Sequence, residues 1–192
     1  MTALQKISGI YALVDPEFCG DFSPIQLVQR YLKEGVQLIQ LRDKKGSRQK
    51  IFEESKKIMS LKKDFDFCFI LNDDPELARE VGADGIHVGQ NDMSPDRARE
   101  ILGPTRVIGY STHSLKELQL AQKFQLDYVA CGAVFPTSSK PAGHPVLGLD
   151  FLKQAVEISR HPIVAIGGIN RSNMNEVLKT GVAAVAMISG LL

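Results

Sequence analysis

The chain has 192 residues, of which 44% are hydrophobic and 23% are charged, and its formal net charge is +1. These values are those of an ordinary globular protein that is large enough to bury a core. A net charge near zero without a long basic run argues against nucleic acid as a general partner. The apolar runs are too short to cross a bilayer, so we expect no membrane association. No apolar signal-peptide core follows Met1, and three scattered cysteines argue against a disulfide framework, which together favour a cytoplasmic protein.

A repeated unit of a short apolar run, a polar turn and an amphipathic stretch predicts eight strands that alternate with helices. Ser23-Pro24 and Ser94-Pro95 each combine an N-cap residue with a proline suited to the first helical position. The predicted strands are residues 10–14, 36–41, 67–71, 85–88, 107–110, 128–134, 162–166 and 183–188.

Eight such units favour an α/β fold of the (β/α)8 TIM-barrel type, with parallel strands and one domain over residues 1–192. A doubly wound open sheet is the alternative, but no glycine fingerprint for dinucleotide binding follows the first strand. Leu192 comes directly after the eighth strand, so we expect the eighth helix to be missing or reduced to a stub. The apolar flank left uncovered would then need the N-terminal segment or a second copy in a homo-oligomer.

The second strand ends in the charged sequence Gln40-Leu41-Arg42-Asp43-Lys44. Side chains alternate along a strand, so Gln40, Arg42 and Lys44 share one face. Two cations on one face repel each other, which favours an anion between them. A solvated charge pair at the end of a strand explains the same residues.

Polar residues collect after the predicted strands, where a barrel enzyme builds its active site. Arg42, Lys44 and Lys140 are cations that suit a phosphate or diphosphate. Asn72 and Ser111 add neutral hydrogen-bond donors to that group. Further polar or glycine residues at the strand ends are Asp73, Gly89, Gln90, Asp92, Thr112, His113, Thr137, Ser138, Ser139, Gly167, Gly168 and Ser189.

Gly167-Gly168 after strand seven and Ser189 after strand eight have the positions of the usual barrel phosphate site. A tight turn is the alternative explanation of the glycine pair. This second anion site would be mostly neutral, in contrast to the cationic one.

Asp73 and Asp92 follow neighbouring strands, so their carboxylates are expected to lie close together. Two carboxylates beside a diphosphate pocket suggest Mg²⁺, which takes carboxylate and phosphate oxygens. Helix N-capping is the alternative. The four histidines lack zinc spacing. His87, inside strand four, is predicted to be a hydrogen-bonded barrel residue, and His113 is either an acid–base group or structural.

Six short motifs follow one another along the chain: QLRDK at 40–44, LND at 71–73, ADGIHVGQND at 83–92, GYSTHS at 109–114, PTSSK at 136–140 and AIGGI at 165–169. Together and in this order they resemble the motifs of the thiamine phosphate synthase family, and the resemblance runs from strand one to Ser189. It implies an Mg²⁺-dependent transferase that joins hydroxymethylpyrimidine diphosphate to thiazole phosphate, giving thiamine phosphate and diphosphate.

The resemblance implies metal-binding, catalytic and substrate-binding roles for the residues at the matching positions. Asp73 and Asp92 would bind Mg²⁺. The catalytic residues would be Arg42, Lys44, Lys140 and Ser111. The pyrimidine diphosphate would be held by Gln40, Arg42, Lys44, Asn72, Ser111 and Lys140, and the thiazole phosphate by Thr137, Ser139, Gly168, Ile188 and Ser189.

Two departures from the family pattern are expected to weaken activity, and two alternative functions stay open. Asp74 stands where the family commonly has arginine, and the last helix is expected to be missing. The first alternative is a thiazole tautomerase-like isomerase of the same fold, in which His113 would transfer the proton. The second is a non-catalytic protein that binds thiamine precursors.

Overall fold

Eight parallel strands close into a barrel in the computed structural model, which describes residues 3–137 and 145–192. The ring closes where β1 pairs with β8, with Tyr11 opposite Ala186. The predicted barrel is therefore confirmed, and the open sheet is excluded. The strands are β1 (Gly9–Val14), β2 (Leu38–Leu41), β3 (Cys68–Asn72), β4 (Gly85–Val88), β5 (Val107–Thr112), β6 (Tyr128–Cys131), β7 (Ile163–Ile166) and β8 (Ala184–Met187).

Helices connect the strands, and several begin at the predicted caps. Ser23 and Gln26 form a capping box at the first helix, where the Ser23 amide donates to Gln26 Oε1 at 2.8 Å. Within the described residues, no helix combines the length and apolar character needed to cross a membrane. The helices are α1 (Pro24–Lys33), α2 (Arg48–Ser60), α3 (Pro75–Val81), α4 (Pro95–Leu102), α5 (Leu115–Ala121), α6 (Gly148–Ile158) and α7 (Met174–Leu178).

The core has two layers, because alternate side chains of each strand face opposite sides. Ile39 and Leu41 belong to the layer between strands and helices. Leu38 belongs to the barrel interior together with Tyr11 and Tyr128. The predicted faces of β2 are thus confirmed, and its polar residues share the interior face.

The end of the chain covers β8 better than the sequence suggested. A single 3₁₀ turn, Ser189–Leu191, follows β8 among the described residues. The expected uncovered flank is wrong for the described residues: Val185 and Met187 on the outer side of β8 are buried, and so is Leu191. An ion pair between Arg171 and Glu34 adds a link beside α1. The flank of β8 therefore no longer supports a homo-oligomer, which stays a prediction.

The three cysteines are free, in line with the expectation of no disulfide framework, and all three are buried. Burial raises the pKa of Cys19 and Cys131 to about 11 and that of Cys68 to about 12. Such thiols stay protonated and unreactive at neutral pH.

Gly109 in β5 makes room for the ring of Tyr128 in the barrel interior. A Cβ at this position would lie 2.0 Å from Tyr128 Cζ. We expect Gly109→Ala to lower the free energy of unfolding by about 3 kcal/mol, since overpacking a rigid core has this cost. Urea denaturation measures the effect. Gly82→Ala is the control: its Cβ would meet only Met59 Cε at 3.9 Å, and its left-handed backbone, with φ +82° and ψ +26°, predicts only about 1 kcal/mol of strain. Equal losses in the two variants would contradict the steric explanation.

Candidate active site at the carboxyl ends of the strands

Two adjoining cavities open at the carboxyl ends of the strands. The central cavity, of about 210 Å³, reaches into the barrel interior as far as Tyr11 and Gln40. The glycine-lined cavity, of about 610 Å³, lies beside the loops after β7 and β8. Arg42 lines both, so its guanidinium stands in their common wall.

The central cavity brings together the predicted diphosphate group and the predicted metal ligands. Lys140, which was assigned to the same group, lies outside the described residues. The predicted residues that line the cavity are Gln40, Arg42, Lys44, Asn72, Asp73, Asp92 and Ser111.

The glycine-lined cavity contains the described members of the predicted thiazole phosphate group. Thr137, Gly168, Ile188 and Ser189 line it, while Ser139 lies outside the described residues.

The tight-turn explanation of the glycine pair is correct as far as the backbone is concerned. Gly167 and Gly168 have φ values of +100° and +66°, and a Cβ on Gly168 would lie 2.6 Å from the Pro136 carbonyl oxygen. The backbone thus requires both glycines. A phosphate contact at Gly168 stays a prediction.

Arg42 and Lys44, the two cations that follow β2, each pair with a different carboxylate. Arg42 forms an ion pair with Asp15, whose side chain is 1% exposed, and Lys44 forms one with Asp73. Repulsion between the two cations therefore does not require an anion between them. Sequence reasoning missed Asp15, although it directly follows β1. The register that places Val14 beside Leu41 brings Asp15 beside Arg42.

The Asp73 and Asp92 side chains lie close enough to interact, as their positions after neighbouring strands predicted. Burial raises the pKa of Asp73 against the opposing effect of Lys44, and Asp92 raises it further. Neither residue caps a helix, because Asp74 caps α3 and Ser94 caps α4. The N-cap alternative is therefore wrong for this pair.

The backbone holds both carboxylates in place. The Asp73 amide donates to the His87 carbonyl at 2.9 Å, and its φ of +68° is in the left-handed region. Asp92 Oδ2 accepts from the Gly89 amide at 2.7 Å. Among the described residues, no group of three or more His, Cys, Asp or Glu could hold a metal ion. A cation at this pair would need further oxygen ligands, such as those of a phosphate.

A chain of hydrogen bonds crosses the barrel interior below the central cavity. Gln40 Nε2 donates to Tyr11 Oη at 2.7 Å, and Tyr11 Oη lies 2.9 Å from Tyr128 Oη. Tyr128 Oη lies 2.9 Å from His87 Nδ1, and His87 Nε2 lies 2.8 Å from Ser111 Oγ. The prediction of a hydrogen-bonded His87 is confirmed. Sequence reasoning missed both tyrosines, for which the glycine opposite Tyr128 was the available signal.

His113 and Asp74 hold different positions relative to the site. His113 lines the central cavity, and its Nδ1 lies 2.8 Å from the Gly132 carbonyl oxygen. Asp74 lines neither cavity: Oδ1 accepts from the Leu77 amide at 2.8 Å, and Oδ2 lies 3.4 Å from Arg48 Nε. Any effect on the site of having Asp74 in place of the family's arginine is therefore indirect.

The closed barrel and the two adjoining cavities at its strand ends are those of a (β/α)8-barrel enzyme. The sequence matches the family described as thiamine monophosphate synthase over residues 10–191, and the chain belongs to this family.

Two relatives and one solved structure are similar to this chain over almost its whole length. A thiamine-phosphate synthase of Koribacter versatilis is 38% identical, and the match covers 100% of this chain and 92% of that protein. One of Archaeoglobus fulgidus is 39% identical, with 100% and 89% covered. The solved structure of a thiamine phosphate pyrophosphorylase from Pyrococcus furiosus superposes with a TM-score of 0.87 at 36% identity, covering 97% of this chain and 88% of that one.

Proposed function

We propose that this chain is a thiamine-phosphate synthase that couples hydroxymethylpyrimidine diphosphate to thiazole phosphate in thiamine biosynthesis. The observation that carries the proposal is the pair of cavities with different linings, joined at Arg42. A reaction between two phosphorylated substrates needs two anion sites that meet at the reacting atoms. We also keep as proposals a cytoplasmic location and assembly of the chain as a homo-oligomer.

The central cavity takes the pyrimidine diphosphate in this proposal. Its charged and polar lining supports the assignment, since diphosphate requires cations and hydrogen-bond donors. The assigned residues are Gln40, Arg42, Lys44, Asn72, Ser111 and Lys140.

The glycine-lined cavity takes the thiazole phosphate in this proposal. Its place after β7 and β8 is where barrels commonly bind phosphate. The assigned residues are Thr137, Ser139, Gly168, Ile188 and Ser189.

Asp73 and Asp92 fit Mg²⁺, because two interacting carboxylates beside a diphosphate site are the ligands that this ion prefers. They would hold the ion where it neutralises charge on the diphosphate.

The reaction then needs charge stabilisation and alignment. The bond between the pyrimidine methylene carbon and the diphosphate oxygen breaks, and the electron pair leaves with the diphosphate. Arg42, Lys44, Lys140 and the Ser111 hydroxyl stabilise the charge that grows there. The aminopyrimidine delocalises the positive charge left on the methylene carbon. The lone pair of the thiazole nitrogen forms the new C–N bond, so no side-chain nucleophile takes part.

Incubation with both substrates and Mg²⁺ tests the proposal directly. We expect thiamine phosphate and diphosphate in equal amounts, measured by mass spectrometry and a coupled phosphate assay. Omission of either substrate is the control. Binding of both substrates without turnover would instead support the non-catalytic alternative.

One observation favours the tautomerase-like alternative, namely that His113 lines the central cavity. An isomerase would convert thiazole phosphate alone and release no diphosphate. Product analysis with the thiazole substrate alone therefore separates the two activities.

A further inference from the structure

The hydrogen-bond chain through the barrel interior has a direction. Gln40 donates from its amide nitrogen to Tyr11 Oη, so Tyr11 accepts at this end. Burial raises the pKa of both Tyr11 and Tyr128, so each keeps its single hydroxyl proton. The other partner of Tyr11 is Tyr128 Oη, 2.9 Å away. Tyr11 therefore donates its proton to Tyr128.

The proton position on the His87 imidazole follows from the direction of the same hydrogen bonds. Tyr128 has accepted from Tyr11, so it donates to His87 Nδ1 at 2.9 Å. If the proton were on Nδ1, Tyr128 Oη would face two donors, Tyr11 and His87. The hydroxyl proton of Tyr128 would then be buried without an acceptor in the hydrogen-bond chain, which is costly. When the ring carries one proton, that proton is therefore on Nε2, which donates to Ser111 Oγ at 2.8 Å.

We propose that Gln40, Tyr11, Tyr128 and His87 form a positioning relay that commits the Ser111 hydroxyl to donate its proton into the central cavity. Ser111 lines this cavity, and its oxygen already accepts from His87. A diphosphate offers only acceptor oxygens to such a donor, and in this respect the inference rests on the proposed function. Ser111 with the opposite polarity would present lone pairs to an anion, which is unfavourable.

The tautomer of His87 is the direct readout, and it needs no ligand. The full chain, labelled with ¹⁵N-histidine, is measured by long-range ¹H–¹⁵N correlation at neutral pH, with His87→Asn to assign the signals. We expect the wild-type ring to be neutral and protonated on Nε2. A proton on Nδ1, or on both nitrogens, would overturn the proposal.

Tyr11→Phe separates the relay from simple packing. It leaves both neighbours of His87 in place and removes only the group that directs Tyr128, so we expect a mixture of the two tautomers. Tyr31→Phe is the matched control, because Tyr31 is a buried tyrosine of the outer layer, and no change is expected. An unchanged Nε2–H ring in Tyr11→Phe would overturn the proposal. If this variant does not fold, Gln40→Leu serves, because it removes the donor that orients Tyr11, and the same mixture of tautomers is expected.

Calorimetric titration with inorganic pyrophosphate tests the output of the relay. We expect Tyr11→Phe to weaken binding about fivefold, the net size of one ordinary hydrogen bond. In a Ser111→Ala background the same change should have no further effect, because coupled residues are not additive. Equal losses in both backgrounds would overturn the role of Ser111. If the wild-type protein had no coupling activity, the proposed function would be rejected. The His87 tautomer and the pyrophosphate titration would still test the relay.

Discussion

Replacement of Arg42 by methionine is expected to lower kcat/KM for the coupling reaction by about 10³-fold, the effect of removing one preorganised group from developing charge. Arg42 lines both cavities, so in the proposed reaction its charge would act at the point where diphosphate leaves. Steady-state kinetics with each substrate varied in turn measure the change. We expect most of the loss in kcat, since the charge on the leaving group is greatest in the transition state.

The ion pair with Asp15 requires a second variant to separate catalysis from stability. Asp15 is 1% exposed, so Arg42→Met leaves a buried carboxylate without its partner and lowers the free energy of unfolding by about 3 kcal/mol. The double variant Arg42→Met/Asp15→Asn should recover most of that stability but none of the activity. Arg97→Met is the matched control, because Arg97 is exposed and pairs with Glu100 on the surface of α4. A folded Arg42→Met enzyme with wild-type turnover would exclude the proposed role.

The barrel and the location of its site could be predicted from sequence because both follow from local patterns. Alternation along β2 places Gln40 on the interior face, and the strand ends carry the polar residues. Glycines and capping residues delimit the helices, as Ser23 does for α1. The boundary of β6 was predicted less well: it ends at Cys131, and Val134 lies in a bend.

The contacts that organise the site could not be predicted, because they join distant parts of the chain. Tyr11 and Tyr128 are 117 positions apart, and their hydroxyl contact depends on the barrel closing in one register. Asp15 and Arg42 are 27 positions apart and meet only when β1 and β2 pair. The resemblance to the family supplied residues at the cavity surface, whereas these contacts lie beneath it.

The second large effect is expected at Asp92, which belongs to the proposed Mg²⁺ site. We expect Asp92→Asn to weaken Mg²⁺ binding and to lower turnover by at least about 100-fold, since loss of an outer-shell partner alone can cost that much. Calorimetry of the free protein measures the affinity, and turnover is followed against Mg²⁺ concentration. Unchanged turnover and unchanged metal dependence would exclude the assigned role of the carboxylate.

Lys44 separates the metal role from general electrostatics, because its two effects have opposite signs. Its ammonium occupies Asp73 in the free protein, where a cation would otherwise bind. Lys44→Met should therefore tighten Mg²⁺ binding roughly fivefold, the value of a half-exposed ion pair of about 1 kcal/mol, while turnover falls. Lys45→Met is the control: Lys45 pairs with Glu17 and lines neither cavity, so both quantities should stay unchanged. Weaker metal binding in Lys44→Met would mean that Asp73 does not bind the ion, and Asp92 would then have to act without it.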